Sequence, residues 1–124
     1  NMITRVWHGW AHQDAAQPYS ELLRKRILPE FKRIRGYLGA YVFRRASSNA
    51  ETEFTVLTMF KDIDAAQQLA GDGGGQALVP PAARTLLSRY DQQASDYEVV
   101  TTPKQAEHEA RLQRTPVHRI EWNW

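Results

Sequence analysis

His8 stands between Trp7 and Trp10 in the segment Met2 to Trp10, MITRVWHGW. An imidazole that titrates near neutrality beside large π-systems could take a proton from a phenol-like substrate. A lone histidine on a strand with bulky neighbours is more often a hydrogen-bonded core residue, so both roles stay open for His8. Trp7, Tyr37, Tyr41, Phe60 and Tyr97 carry the same duality. Aromatic side chains on strands usually fill a core, yet a cavity lined by them would suit a planar apolar ligand. Arg84, just after Val79, Pro80 and Pro81, could stabilise an anion or face water.

Other chemistries find less support. His8 and His12, with Asp14 nearby, invite a metal reading, but on a strand they stand about 13 Å apart at about 3.3 Å per residue. His108 and His118 show no closed zinc spacing, so no metal is expected. GDGGGQ, from Gly71 to Gln76, lacks the Lys and Ser/Thr of a phosphate loop and follows a helix rather than a strand, so it reads as a connection or pocket lid. No serine sits in a GxSxG elbow. The chain has no cysteine, which excludes disulfides and thiolate chemistry. A net charge of +2 over 124 residues makes no case for nucleic acid. The basic stretch from Arg24 to Arg35 is divided by Pro29 and reads as a solvated helix face. No run approaches the roughly 20 apolar residues of a membrane span, and no signal peptide stands out, so a cytoplasmic protein starting at Met2 is expected.

The elements that must position these residues follow from periodicity. Ile3 to Trp10 is rich in β-branched and aromatic types and reads as a strand with bulk on both faces. From Pro18, placed in a first helical turn, Tyr19, Leu22, Leu23, Ile27, Phe31 and Ile34 recur at helical spacing, with a kink or break expected at Pro29 and an end at Gly36. Tyr37 to Arg45 and Glu53 to Phe60 read as a hairpin. Simple alternation puts Tyr37, Gly39, Tyr41 and Phe43 on one face of the first strand, joining Phe54, Val56, Thr58 and Phe60 of the second in one aromatic sheet face. Asp62 can cap a short helix, Pro80 and Pro81 open another through AARTLLSRY, and Asp96 to Thr102 gives a last core strand.

The order β, α, β, β, α, β is the ferredoxin-like split βαβ pattern, an α+β fold with a four-stranded antiparallel sheet. Its uncovered face would carry aromatics and valine, and a second copy is the simplest cover. Residues 2–102 form this domain. Residues 103–124 form an extension, a polar helix followed by the strand-like VHRIEWNW; it reads either as a disordered or loosely docked tail or, as Trp122 and Trp124 favour, as a segment packed on a dimer partner.

MITRVWHGW, GYLGAYVFRR, FTVLTMF followed by a short helix ending in AG, VPPAARTLLSRYD and DYEVV resemble the antibiotic biosynthesis monooxygenase family over about Met2 to Val100. The resemblance implies a homodimer whose sheets form an α+β barrel, with one pocket per subunit between sheet and helices. One branch of that family oxidises polycyclic phenols to quinones with molecular oxygen and neither metal nor flavin, using the substrate's own electron-rich anion. Another degrades haem with an Asn, a Trp and a His. Here Phe60 occupies the Trp position of the hairpin strand, in departure from both branches. No His lies between Ile63 and Val100, and His8 is the nearest polar residue to the first-strand Asn. The resemblance thus disfavours haem and implies no cofactor.

The expectation is a homodimeric barrel that binds a small aromatic or polyketide-like molecule and oxidises it without a cofactor. His8 would act as base or orienting donor, Arg84 would stabilise an anion, and Trp7, Tyr37, Tyr41, Phe60 and Tyr97 would line the pocket. The alternative is a non-catalytic ligand-binding or stress-associated protein on the same fold. An isomerase of the same barrel, needing no oxygen, is a third reading.

Overall fold

The β-branched and aromatic residues of Ile3–His12 form the central strand, β1, in the computed structural model, which describes residues 1–69, 77–113 and 116–122. β1 pairs antiparallel along its whole length with β3 (Glu51–Phe60), and β3 pairs antiparallel with β2 (Tyr37–Ala46). The opposite edge of β1 is covered in two pieces, β4 (Arg89–Tyr90) against Gly9 and Trp10, and β5 (Ser95–Glu98) against Ile3 to Val6. The five-stranded sheet has the order β2-β3-β1-β4, with β5 also on β1. This is the split βαβ arrangement, with its expected fourth strand interrupted.

Helix α1 (Gln13–Leu22) begins five residues before Pro18, which lies inside it. The His12 side chain starts it, accepting the Asp14 backbone N–H on Nδ1 at 3.2 Å. The expected break at Pro29 takes the form of a π-helical turn, Leu23–Ile27, in which the Leu28 N–H reaches the Leu23 carbonyl, before the short α2 (Leu28–Phe31). Asp62 caps α3 (Ile63–Gln67) by accepting the Ala65 N–H at 2.9 Å. Helix α4 (Pro81–Leu86) is shorter than the sequence suggested. The Ser88 N–H and hydroxyl both donate to the Trp10 carbonyl, at 2.7 and 2.9 Å, and draw the chain out of the helix into β4.

These helices cover one face of the sheet. Tyr19 and Leu23 pack there with Phe54, Val56, Ala83 and Leu87, and a smaller cluster joins Phe60 to Ala65 and Ala66. Full burial of a large apolar side chain contributes about 1.5–3 kcal/mol, so Phe54 and Phe60, both 0% exposed, anchor the two clusters.

β2 departs from simple alternation. Tyr37 opposes Phe60, but Gly39 opposes Met59, so Leu38 is an extra residue in the ladder. Gly39 adopts φ +142°, a conformation that a side chain disfavours. Beyond the bulge every side chain of β2 changes face. Val42 now opposes the buried Val56, whereas Tyr41 opposes Leu57 and Phe43 opposes Thr55. The single aromatic face expected from the sequence is therefore divided: Tyr37 stays on the helix side, and Tyr41 and Phe43 stand on the other.

The extension begins with α5 (Pro103–Arg111), held by a capping box between Thr102 and Gln105. Residues 116–122 form no strand, and Val117, Ile120 and Trp122 are exposed. Trp124 and the GDGGGQ segment lie outside the described residues.

Candidate ligand cavity and the opposite sheet face

Alternation along β1 sends Arg5, Trp7 and Gly9 toward the helices, opposite Thr58, Val56 and Phe54 of β3. Between this face and the helices lies a mostly apolar cavity of about 60 Å³. Trp7 and Val56 form its sheet wall, Tyr19, Leu23, Ile27 and Phe31 its helical wall, and Leu78, Val79, Pro80 and Ala83 its remaining side. Gly9 makes the Trp7 position attainable. A Cβ at Gly9 would fall 2.6 Å from Trp7 Cη2, so the indole folds across the strand where no side chain intervenes. Its Nε1–H donates to the Asp91 carbonyl at 2.9 Å, which fixes the ring.

Arg5 is the charged residue of the lining and is 3% exposed. Its Nε and Nη2 donate to the two carboxylate oxygens of Asp96 at 2.7 and 2.8 Å, a bidentate pair joining β1 to β5. Thr58 donates its hydroxyl to the Arg5 carbonyl at 3.4 Å. Tyr19, 1% exposed, has its hydroxyl pKa raised by burial and so stays a neutral donor at ordinary pH. The cavity thus combines aromatic and aliphatic walls with a buried guanidinium and a phenol.

His8 lies on the opposite face of β1. Its Nδ1 is 2.7 Å from Asp91 Oδ2, the same oxygen accepts its backbone N–H at 3.0 Å, and its ring stacks near Trp10 at 6.1 Å between centroids. The Arg89 guanidinium sits 3.9 Å over the Trp10 ring. Beside them Tyr41 and Phe43 stack with centroids 6.0 Å apart, and His8, Phe43, Arg44, Arg45, Glu53 and Thr55 bound a depression of about 410 Å³. Tyr97, opposite Thr4 in the ladder, is 55% exposed on this same face.

The residues expected to share one pocket are therefore separated. Trp7 lines the cavity. Tyr37 and Phe60 pack against each other at 5.9 Å in the neighbouring core cluster. His8, Tyr41 and Tyr97 stand across the sheet, the first because odd and even positions of β1 point oppositely, the second because of the bulge. Arg84 is exposed on α4 and outside the cavity. Sequence reasoning missed Arg5, Tyr19 and Asp91. For Arg5 a signal existed: it shares parity with Trp7 on a strand covered on that side. Among the described residues no group of three or more His, Asp and Glu is placed to hold a metal, and no helix is long and apolar enough to cross a membrane.

No protein-family model matches the chain, and no curated protein matches it. Solved structures do. A variant of SnoaB, a cofactor-independent oxygenase from Streptomyces nogalater, superimposes with a TM-score of 0.56 at 17% identity, over 82% of this chain and 96% of that one. A candidate antibiotic biosynthesis monooxygenase from Bacillus cereus gives 0.57 at 12% identity, over 82% and 95%. Rv0793 from Mycobacterium tuberculosis gives 0.52 at 12% identity, over 83% and 99%. At these identities the likeness is one of fold, and it is the fold that the resemblance in the sequence implied.

Proposed function

We propose that this chain, which shares its fold with a cofactor-independent oxygenase, binds a small aromatic molecule between its sheet and helices and oxygenates it without metal, flavin or haem. The observation that carries the reading is the cavity itself: Trp7 and Tyr19 flank an apolar slot at which the buried Arg5 supplies the charge. In such a slot an acidic aromatic substrate is held beside the Arg5–Asp96 pair, whose guanidinium side favours the anion locally while the carboxylate offsets the net charge. That anion is electron-rich enough to react with O2 directly. One oxygen atom becomes a ring carbonyl and the other leaves as water, with both hydrogens coming from the substrate. Arg5 and the neutral Tyr19 hydroxyl would support the developing oxyanion. His8 has no place in this scheme, because it is on the other face.

A second copy of the chain covers the opposite face in this reading. Val6, Trp10, Tyr41, Phe43 and Leu57 form an apolar surface there, with Tyr41 and Phe43 each more than half exposed, and apolar patches of this kind mark association sites.

One observation favours a second reading, a binding protein without catalysis. The cavity of about 60 Å³ is well below the roughly 300–1,000 Å³ of ordinary small-molecule sites. Oxygen uptake by chelator-treated protein over a panel of phenols and anthrone-like compounds decides between them. Uptake that Trp7→Ala abolishes is expected. Thermal stabilisation by the same compounds with no uptake would establish the binding protein instead.

A further inference from the structure

We propose that the open face of the sheet carries a second ligand site, in which His8 Nε2 and the Glu53 carboxylate accept hydrogen bonds from a neutral planar ring bearing two donors, of the dihydroxybenzene class. It shares no residue with the walls of the cavity behind Trp7.

The first acceptor follows from the tautomer. Asp91 Oδ2 lies 2.7 Å from His8 Nδ1. An ionised carboxylate can only accept, so in the neutral ring the proton is on Nδ1 and the lone pair is on Nε2. The same oxygen accepts the His8 backbone N–H at 3.0 Å, which holds the carboxylate in place. Nε2 is left over from this clamp: it has no partner among the described residues, and the His8 side chain is 37% exposed.

Strand register supplies the other parts. Thr55 of β3 opposes His8, and Phe43 of β2 opposes Thr55, so the three form one row across the open face. Glu53, two residues from Thr55 on the same face, is a diagonal neighbour of His8 at about 7–8 Å by sheet geometry, a gap that one ring with donors on both sides bridges. Glu53 Oε1 accepts from Arg45 Nε at 3.1 Å, and its other carboxylate oxygen has no partner among the described residues. These residues border the depression of about 410 Å³, which is within the range of small-molecule sites. Of the surface assigned to a second copy, only Phe43 borders it.

Charge narrows the ligand further. Asp91 is engaged by His8 and Glu53 by Arg45, so an ammonium or a carboxylate would lose hydration without gaining an unpaired counter-ion. A neutral ring with two O–H groups satisfies both open acceptors and lays its face toward Phe43. An ether of the same shape leaves both acceptors unmet.

Calorimetric titration of the full chain with resorcinol, phenol, 1,3-dimethoxybenzene and benzoate, alongside nitrogen NMR of the imidazoles, tests this. Resorcinol is expected to bind at least about tenfold more tightly than 1,3-dimethoxybenzene and benzoate, with phenol between, and to shift the His8 Nε2 resonance. His8→Phe, which keeps a ring and removes the acceptor, should collapse the preference for resorcinol over 1,3-dimethoxybenzene. Should that variant not fold, the wild-type ratios and the His8 resonance decide alone. 1,3-Dimethoxybenzene or benzoate binding as tightly as resorcinol overturns the site, and phenol binding as tightly overturns the part of Glu53. Resorcinol binding that leaves the His8 resonance unmoved assigns it to the cavity behind Trp7 and overturns the second site while the cavity reading stands. Affinity that falls as the chain associates gives the depression to the second copy, and binding by none of the four overturns the proposal.

Discussion

Asp91 Oδ2 accepts both the His8 backbone N–H, at 3.0 Å, and a contact from the His8 ring at 2.7 Å, while the Asp91 N–H donates to the His8 carbonyl at 2.9 Å. One aspartate thereby fastens the turn between β4 and β5 to the middle of β1. His8→Ala is expected to destabilise the chain by about 1–2 kcal/mol in chemical denaturation. Ligand affinity in the cavity should fall far less than in Trp7→Ala, because His8 reaches that site only through Asp91, whose carbonyl also holds the Trp7 indole. A large affinity loss with stability unchanged would return His8 to the ligand site.

Gly9 determines where Trp7 lies. A methyl there would meet Trp7 Cη2 at 2.6 Å and Leu87 Cδ2 at 3.2 Å. Trp7 cannot yield without breaking its bond to the Asp91 carbonyl. Gly9→Ala should therefore cost about 1–3 kcal/mol by overpacking, with a change in tryptophan emission and weaker binding of any phenol that the wild-type cavity takes up. Unchanged emission and affinity would show that the indole position does not depend on Gly9.

At Gly39 the expected effect comes from the backbone alone. Its φ is +142° and a Cβ would meet nothing within 4 Å. Gly39→Ala should lose about 1–3 kcal/mol by strain, measured by urea denaturation. A neutral result would mean that the bulge relaxes and β2 shifts register.

Burial raises the Tyr19 hydroxyl pKa above its usual 10.0. Above about pH 10 the unfolded chain ionises this group while the folded chain still holds its proton, so stability is complete below that pH and falls as pH rises through the folded value. Burial shifts Tyr37 in the same sense. Thermal melts between pH 9 and pH 11 should show a decline that Tyr19→Phe makes shallower. An identical decline in the variant would assign it elsewhere.

Phe43 is 53% exposed on the uncovered face. Phe43→Lys should leave the melting temperature of the isolated chain near its wild-type value, since exposed substitutions change stability by about 0.5 kcal/mol or less. It should convert a sedimenting dimer to monomer. A wild-type monomer, or a variant that still dimerises, would remove this face as the subunit contact.

The buried face of β3 could be read from its sequence because nothing disturbs its register: Phe54, Val56, Thr58 and Phe60 alternate and all four are buried. β2 carries an equally clear alternation, yet the extra residue at Leu38 reverses it, and the local mark of that event is Gly39. Tyr41 was misplaced for this reason. Helix boundaries moved where a side chain outweighed a proline signal, as His12 does at the start of α1. The site was harder to read. Arg5 acquires its meaning from Asp96, 91 residues away, and His8 from Asp91, 83 residues away; no local spacing encodes either pairing.

The interruption between β4 and β5 also limits how molecules of this kind can stick together. A neighbouring strand approaching that edge finds ladders of only two and four residues, separated by a turn that His8 and Trp7 hold in place. Short, broken edges resist the open-ended strand addition that leads to fibrils. At the far edge, β2 is kinked near one end by its bulge and carries Arg44 and Arg45 near the other. Both edges of the sheet are thereby poor templates for growth strand by strand.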